Sequence, residues 1–343
     1  MKIVSLFSGA GGLDRGFERA GFKVAWSNEF DRSIWVTYRR NFPKTQLEAR
    51  SIVELRDEDI PDCDGIIGGP PCQSWSEAGN RQGFNDARGK LFDEYLRVLR
   101  DKKPLFFLAE NVPGITFQRN SDAFSRILRR FAGIGYNVTT CLVNSNDYGV
   151  PQDRQRVVIV GYLAQYGKHF SPPSHTSRSL SLKDAIWDLR KGAVPALTGN
   201  RRNPQARFPN HEFYVGDFSP IFMSRNRVRP WDKPSFTIQA SGRHAPLHPQ
   251  SPPMVIVGKD VRRFVSGAEY RRLSVRECAR IQTFPDDHVF DYELVADGYK
   301  MIGNAVPVAL AHAFAQQIRR DLRLFERECR NLYVRGTVLK VKP

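Results

Sequence analysis

Through the first half of the chain, short apolar runs that end in glycine or an acidic residue alternate with amphipathic stretches. Lys2–Leu6, Lys23–Ser27, the run from Asp64 into Gly68, Pro104–Ala109, Tyr136–Val143 and Val157–Tyr162 read as strands. The residues after Leu13 through Ala20, halted by Gly21, read as a helix, as does a stretch from about Leu91 to Arg100 with Leu91, Tyr95, Leu96 and Leu99 on one face. Strands alternating with helices predict β-α-β units, so the expected fold class is α/β with a doubly wound, mostly parallel sheet.

After about His169 the pattern dissolves. Ten of the 22 prolines fall between Pro195 and Pro253. A helix over 182–190 precedes this stretch, and short strands are expected at Phe222–Val228 and Ser235–Ala240. Its aromatics and apolar runs need a core, which argues for a smaller, irregular, β-rich domain inserted into the first. Ser274 with Glu277 three residues on is a capping box that starts a helix. Residues 298–307 read as a turn into a last helix, roughly Pro307–Arg323, with proline at its start. The expected division is 1–170, 171–295 and 296–343.

Composition narrows the class. A net charge of +16 over 343 residues points to a polyanionic partner. The excess is uneven: between Thr198 and Arg272 stand 13 Lys/Arg against 5 Asp/Glu, a net of +8. No apolar run reaches the ~18 residues of a membrane span. Five cysteines without metal-ligand spacing lead us to expect no metal and a reducing cytoplasm.

The candidate chemistry lies at strand ends. The turn Phe7-Ser-Gly9-Ala-Gly11-Gly12-Leu13 follows the first strand. Asp14 stands where a dinucleotide fingerprint has its third glycine, which is unwelcome to a pyrophosphate and harmless to a ligand bearing an ammonium group. Glu29, twenty residues after Gly9, occupies the offset at which an acid grips ribose hydroxyls. Together they suit S-adenosylmethionine. Cys72 follows Gly-Gly-Pro-Pro71, a stiff arm beyond a strand, where a nucleophile would be presented. Glu110 ends the next strand. Arg154 and Arg156, two apart on extended chain, share a face and could orient a substrate together.

These stretches, with Asn28-Glu29, Gly69-Pro-Pro-Cys-Gln73, Glu110-Asn-Val112, Gln152-x-Arg154-x-Arg156, Arg271-x-Leu273 with Arg276-Glu277 and Arg280, and Gly303-Asn304-x-Val306, resemble the ordered motifs of the DNA (cytosine-5) methyltransferases over nearly the whole chain. The resemblance implies the S-adenosylmethionine-dependent methyltransferase fold with an inserted target-recognition domain. It implies that Cys72 adds to C6 of a flipped cytosine, that Glu110 holds N3 and that Arg154 supports the base, with Arg156 beside it. It also implies a cofactor site of Phe7, Gly9, Gly11, Gly12, Leu13, Glu29, Phe30, Ser51, Ile52, Pro71, Leu91, Asn304 and Val306, with S-adenosylhomocysteine as product. Ser51 stands where the family usually has an aspartate for the adenine amino group.

Within the family the likeness is to HaeIII-type bacterial modification enzymes. That implies methylation of the inner cytosine of GGCC in double-stranded DNA, with Arg225, Arg227 and Arg243 as guanine readers. The expected setting is the bacterial cytoplasm at the nucleoid; a monomer would suit a duplex read by one inserted domain, and a cognate restriction endonuclease is the candidate partner, though the chain itself does not specify one. A tRNA methyltransferase and a catalytically silent DNA-binding protein are the competing expectations.

Overall fold

The structure, a computed structural model, describes residues 1–71 and 87–334. Cys72 and Gln73 lie outside the described residues. The first half runs β1 (Lys2–Leu6), α1 (Gly12–Arg19), β2 (Lys23–Asn28), α2 (Arg32–Asn41), β3 (Gln46–Glu48), β4 (Gly65–Gly68), α3 (Ala87–Lys102), β5 (Phe106–Asn111), α4 (Ser121–Gly133), β6 (Tyr136–Asn144) and β7 (Gln155–Leu163). These strands form one sheet in the order β3-β2-β1-β4-β5-β7-β6. β3, β2, β1, β4 and β5 are parallel, and β7 runs antiparallel to both β5 and β6.

The order reverses at β1, whose helix α1 is followed by β2 on one side while β4 pairs on the other. Open α/β sheets bind ligands at such a switch point, beyond the carboxyl ends of the strands. Gly65–Gly68 is buried along its whole length. Covered on both faces, β4 therefore reads as continuous apolar chain without alternation.

The remainder carries α5 (Leu182–Ile186), β8 (Val194–Pro195), β9 (Glu212–Phe213), β10 (Val255–Gly258), β11 (Val261–Arg263), α6 (Val275–Ile281), α7 (Val295–Asn304) and α8 (Val308–Val334). The insert is less β-rich than its sequence suggests. Phe222–Ser224 is a 3-10 turn, and the predicted strand over 235–240 has only a bridge from Ser235 to Gln152. Residues 298–304 lie inside α7 instead of forming a turn, so the boundary expected at 295/296 falls in the first turn of that helix. The capping box is as predicted: Glu277 N donates to Ser274 Oγ at 3.1 Å, and Ser274 N to the Glu277 carboxylate at 2.7 Å.

Where ladders are missing, buried arginines take the carbonyls. Arg272 donates to the carbonyls of Tyr214, Gly216 and Asp217, and Arg276 to those of Pro209, Pro285 and His288. A guanidinium offers five N–H donors in a rigid fork, so one side chain can satisfy several strand-like orphans at once. Residues of the insert also share a core with the first half: Ala10, Ile34, Tyr38 and Phe42 pack with Leu182, Ile238 and Leu273.

The chain closes on itself through α8. A Cβ on Gly16 of α1 would lie 2.4 Å from Ala311 Cβ, so only glycine lets the two helices approach this closely.

Candidate active site

Parallel pairing of β4 with β5 brings Gly68 level with Ala109, so the Pro70-Pro71 arm leaves the sheet beside Glu110. Asn111 Nδ2 donates to the Pro70 carbonyl at 3.0 Å and pins that arm. The Glu110 carboxylate accepts from Arg156 Nε at 2.8 Å, with both side chains largely buried. Burial lowers the Arg156 pKa, and the Glu110 charge opposes that shift. An open cleft of about 470 Å³ begins at Arg156 and is lined by Pro113, Asn144, Asp153, Gln155 and, from the insert, Thr237.

Arg154 sits elsewhere than its expected place against the base. It is 1% exposed, and its guanidinium donates to the carbonyls of Ile238 (2.9 Å), Gly303 (2.8 Å) and Ala305 (3.1 Å). It therefore joins β7's entry to the insert and to the end of α7. Arg156 is the arginine that meets Glu110. Gln152 joins the same knot, its side chain bridging Ile238 N at 2.7 Å and Gln282 Oε1 at 2.9 Å. Sequence reasoning missed Asp153, which lines the cleft, and Arg229, which pairs with it at 2.8 Å. They are 76 residues apart, and no periodicity links them.

The cofactor edge is assembled from the ends of β1, β2 and β3. Gly9 has φ +55°, and a Cβ there would meet nothing within 4 Å, so it faces open space. Gly12 does the opposite, since a Cβ would lie 2.3 Å from the Val306 carbonyl. Gly11, at φ +82°, backs onto the Phe42 ring. Phe7 is held at φ +55°, a strained setting for a non-glycine residue of the kind that gathers at functional sites. The Glu29 carboxylate accepts from Gly9 N and Asp31 N, both at 2.8 Å; burial raises its pKa, and those two bonds pull it back.

Phe30 is 68% exposed beside this edge, Leu91 is half-buried on α3, and Asn304 is exposed at the end of α7. Leu13, Ile52 and Val306 turn into core clusters and back the edge instead of facing it. Asp14, at the start of α1, turns into the core. It is fully buried, bonded by Ser5 Oγ and Tyr38 Oη, and burial pushes its carboxyl up to about 7. Ser51 Oγ caps the turn Ile52–Glu54 by accepting from Val53 N at 3.4 Å.

On the insert, Arg225 and Arg243 are exposed. Arg227 is half-buried over the Phe222 ring and donates to the carbonyls of Ile221 and Phe222. The charges of Arg227 and Arg243 both act on His244, and that of Arg225 acts on Arg227, so the three predicted readers gather at one place.

Residues 1–320 match the model of the family described as C-5 cytosine-specific DNA methylase. The chain belongs to that family. The methyltransferase is 53% identical over 328 residues to the Type II methyltransferase M.FnuDI of Fusobacterium nucleatum, covering 94% of this chain and 95% of that one. It is 52% identical to M.NgoPII of Neisseria gonorrhoeae, covering 94% and 96%. Among solved structures, a prophage-encoded DNA modification methyltransferase of E. coli matches with a TM-score of 0.71 at 24% identity, covering 94% of this chain and 99% of that one. DNMT2 of Spodoptera frugiperda matches at 0.67 and 17%, covering 94% and 99%. The last two bear on the fold alone. The methyltransferase is thus an enzyme that methylates cytosine at C5 in DNA, of the restriction-modification type. The silent DNA-binding reading falls away, and the DNA family with these relatives favours DNA over tRNA.

Proposed function

We propose that the enzyme takes its methyl group from S-adenosylmethionine and places it on the inner cytosine of GGCC. What supports the cofactor is the fit of the edge: open space over Gly9, a carboxylate at Glu29 for ribose hydroxyls, and an exposed Phe30 ring for a base. Bound there, S-adenosylmethionine supplies an electrophilic methyl. Pro71 and Leu91 flank the edge and Asn304 closes it.

The observation that carries the chemistry is the Glu110–Arg156 pair beside the arm to Cys72. Arg156 holds one carboxylate oxygen, leaving the other to present a proton to N3 of the base. The Cys72 thiolate then adds to C6, which makes C5 nucleophilic and splits one hard step into two easier ones. After C5 is methylated, loss of its proton expels Cys72. An in-helix cytosine cannot reach this cleft, so the base is flipped out of the duplex. The insert is the target-recognition domain, its exposed Arg225 and Arg243 matching guanine O6 and N7. Arg201, Arg202, Arg262 and Arg263 contact phosphates. The enzyme acts as a monomer, and a partner endonuclease would cut the same site.

Duplex DNA with 5-fluorocytosine at the inner position should become covalently bound to the wild-type protein, because fluorine cannot leave as a proton does. Cys72→Ser should bind the duplex, form no adduct and transfer no methyl. Comparable methylation by the Cys72→Ser variant would sink the nucleophile assignment. Trapping equally strong on AGCC duplex would sink the GGCC assignment.

A further inference from the structure

Asp153 is the residue at which the cleft and the recognition insert meet. Its N–H donates to the Ser235 carbonyl at 2.9 Å, and its carbonyl accepts from Thr237 Oγ1 at 2.6 Å. Its carboxylate takes Arg229 Nη2 at 2.8 Å, and the Arg229 guanidinium lies 4.2 Å above the Phe236 ring. Asp153 and Thr237 both line the cleft whose floor is Arg156. Arg229 follows Arg225 and Arg227 in one short segment, so the chain that carries these arginines ends on a residue paired with the cleft-lining Asp153.

The pair is ill suited to holding the fold. The side chains of Arg229 and Asp153 are 29% and 40% exposed, and ion pairs so open to water contribute little stability. The insert is already tied at the same place by Arg154 and Gln152, which are buried. Neither of those touches the segment of the readers. Among the described residues, the Arg229–Asp153 ion pair is the charged side-chain contact that does.

We propose that Arg229–Asp153 is a latch coupling sequence reading to delivery of the target base. Seating the readers on their guanines fixes residues 225–229, and Arg229 then fixes Asp153 and with it the Thr237 side of the cleft. Arg229 is a positioning residue, acting on the base through Asp153. This rests on the proposed function, which gives the cleft to the flipped cytosine and the readers to the insert.

The test uses the full-length protein as wild type, Arg229→Met, Asp153→Asn, the double variant, and the swap Arg229→Asp with Asp153→Arg. Three quantities are read. They are duplex affinity, single-turnover methylation of GGCC, and the fluorescence gained by 2-aminopurine placed at the inner cytosine, which brightens when unstacked. Each single variant should slow methylation by about tenfold or more, since misplacing a base by a fraction of its width is costly. Each should dim the 2-aminopurine signal at saturation while leaving affinity and unfolding temperature close to wild type. The double variant should be no worse than the singles, as expected of residues acting as one unit, and the swap should recover part of the rate.

Additive losses, unchanged rates, or a loss confined to affinity on every duplex would overturn the latch. In the last case Arg229 would be a phosphate contact. If the wild type leaves GGCC unmodified but methylates other DNA, the site assignment fails by itself. The latch is then read by the same ratios on the DNA that is methylated.

Discussion

The two halves of this molecule satisfy the same backbone groups by different means. In the sheet, carbonyls and amides pair strand to strand, and register follows from runs such as Ile66–Ile67 against Phe107–Leu108. In the insert the longest strand has four residues, Val255–Gly258, and carbonyls are taken instead by the guanidinium groups of Arg272, Arg276 and Arg154. A ladder spreads its energy over many small bonds. An arginine node concentrates it in one side chain. The insert therefore trades redundancy for a backbone that can follow an irregular surface.

The sharpest way to break this comparison is Arg272→Met, which keeps apolar bulk but strands the carbonyls of Tyr214, Gly216 and Asp217. Leaving several buried acceptors unpaired should cost about 3 kcal/mol or more. Chemical denaturation should show the insert melting before the sheet. A single transition at the wild-type midpoint would mean that the node is dispensable.

Next in size is a contrast within the cofactor turn. Gly12→Ala forces a methyl onto the Val306 carbonyl and should cost about 1–3 kcal/mol by overpacking. Gly9→Ala has room for its methyl and should cost only about 1 kcal/mol for its positive φ. Its larger effect should be on S-adenosylmethionine affinity, because the methyl enters the open space. Calorimetry with both variants separates a packing glycine from a binding one, and equal effects on affinity would erase the distinction.

The halves should also answer acid in opposite senses. Burial lowers His248 to about 4 and His288 to about 3, so the unfolded chain binds protons that the folded one refuses. Stability from these groups is lost as pH falls from about 6.5 toward those values. Asp14 in α1 is raised to about 7, so its folded form holds a proton that the unfolded chain has released. That contribution is present at acid pH and is lost as pH rises from 3.8, the unfolded value, through 7. The two partly cancel in the wild type. Asp14→Asn should expose a steeper loss of stability between pH 6.5 and 4, visible in urea midpoints, whereas an unchanged slope would show that Asp14 does not titrate in this range.

The smallest expected change is at Ser51. An aspartate there could still cap Val53 while offering a charged acceptor to the adenine amino group. Ser51→Asp should tighten S-adenosylmethionine by about 1 kcal/mol, the margin of a charged over a neutral acceptor. Weaker binding by calorimetry would place the adenine elsewhere.

What was legible in the sequence follows the same division. Periodicity and glycine placement recovered six of the seven sheet strands, β3 excepted, and strand ends located Glu110 and Glu29, because in an α/β sheet local pattern dictates position. Phe222–Val228 misled because an extended, apolar-polar run looks alike whether its carbonyls meet a strand or a guanidinium. Arg154 misled for a related reason: a motif fixes the residue and its face, but not whether its donors go to a substrate or to the carbonyls of Ile238 and Gly303. Not all of the charge excess is free for a partner. Arg272 is buried and Arg271 is bound bidentately to Glu277, so part of the basic balance of residues 198–272 is internal scaffolding.

The notch at Gly16 has a bearing on synthesis. The ribosome makes α1 well before α8, yet each is the other's packing surface, and the Gly12 turn rests on the Val306 carbonyl just before α8. Until α8 has been translated, the Gly12 turn has no floor. A nascent chain from which α8 has yet to emerge therefore has no finished edge at the Gly12 turn, and translation of that helix completes it.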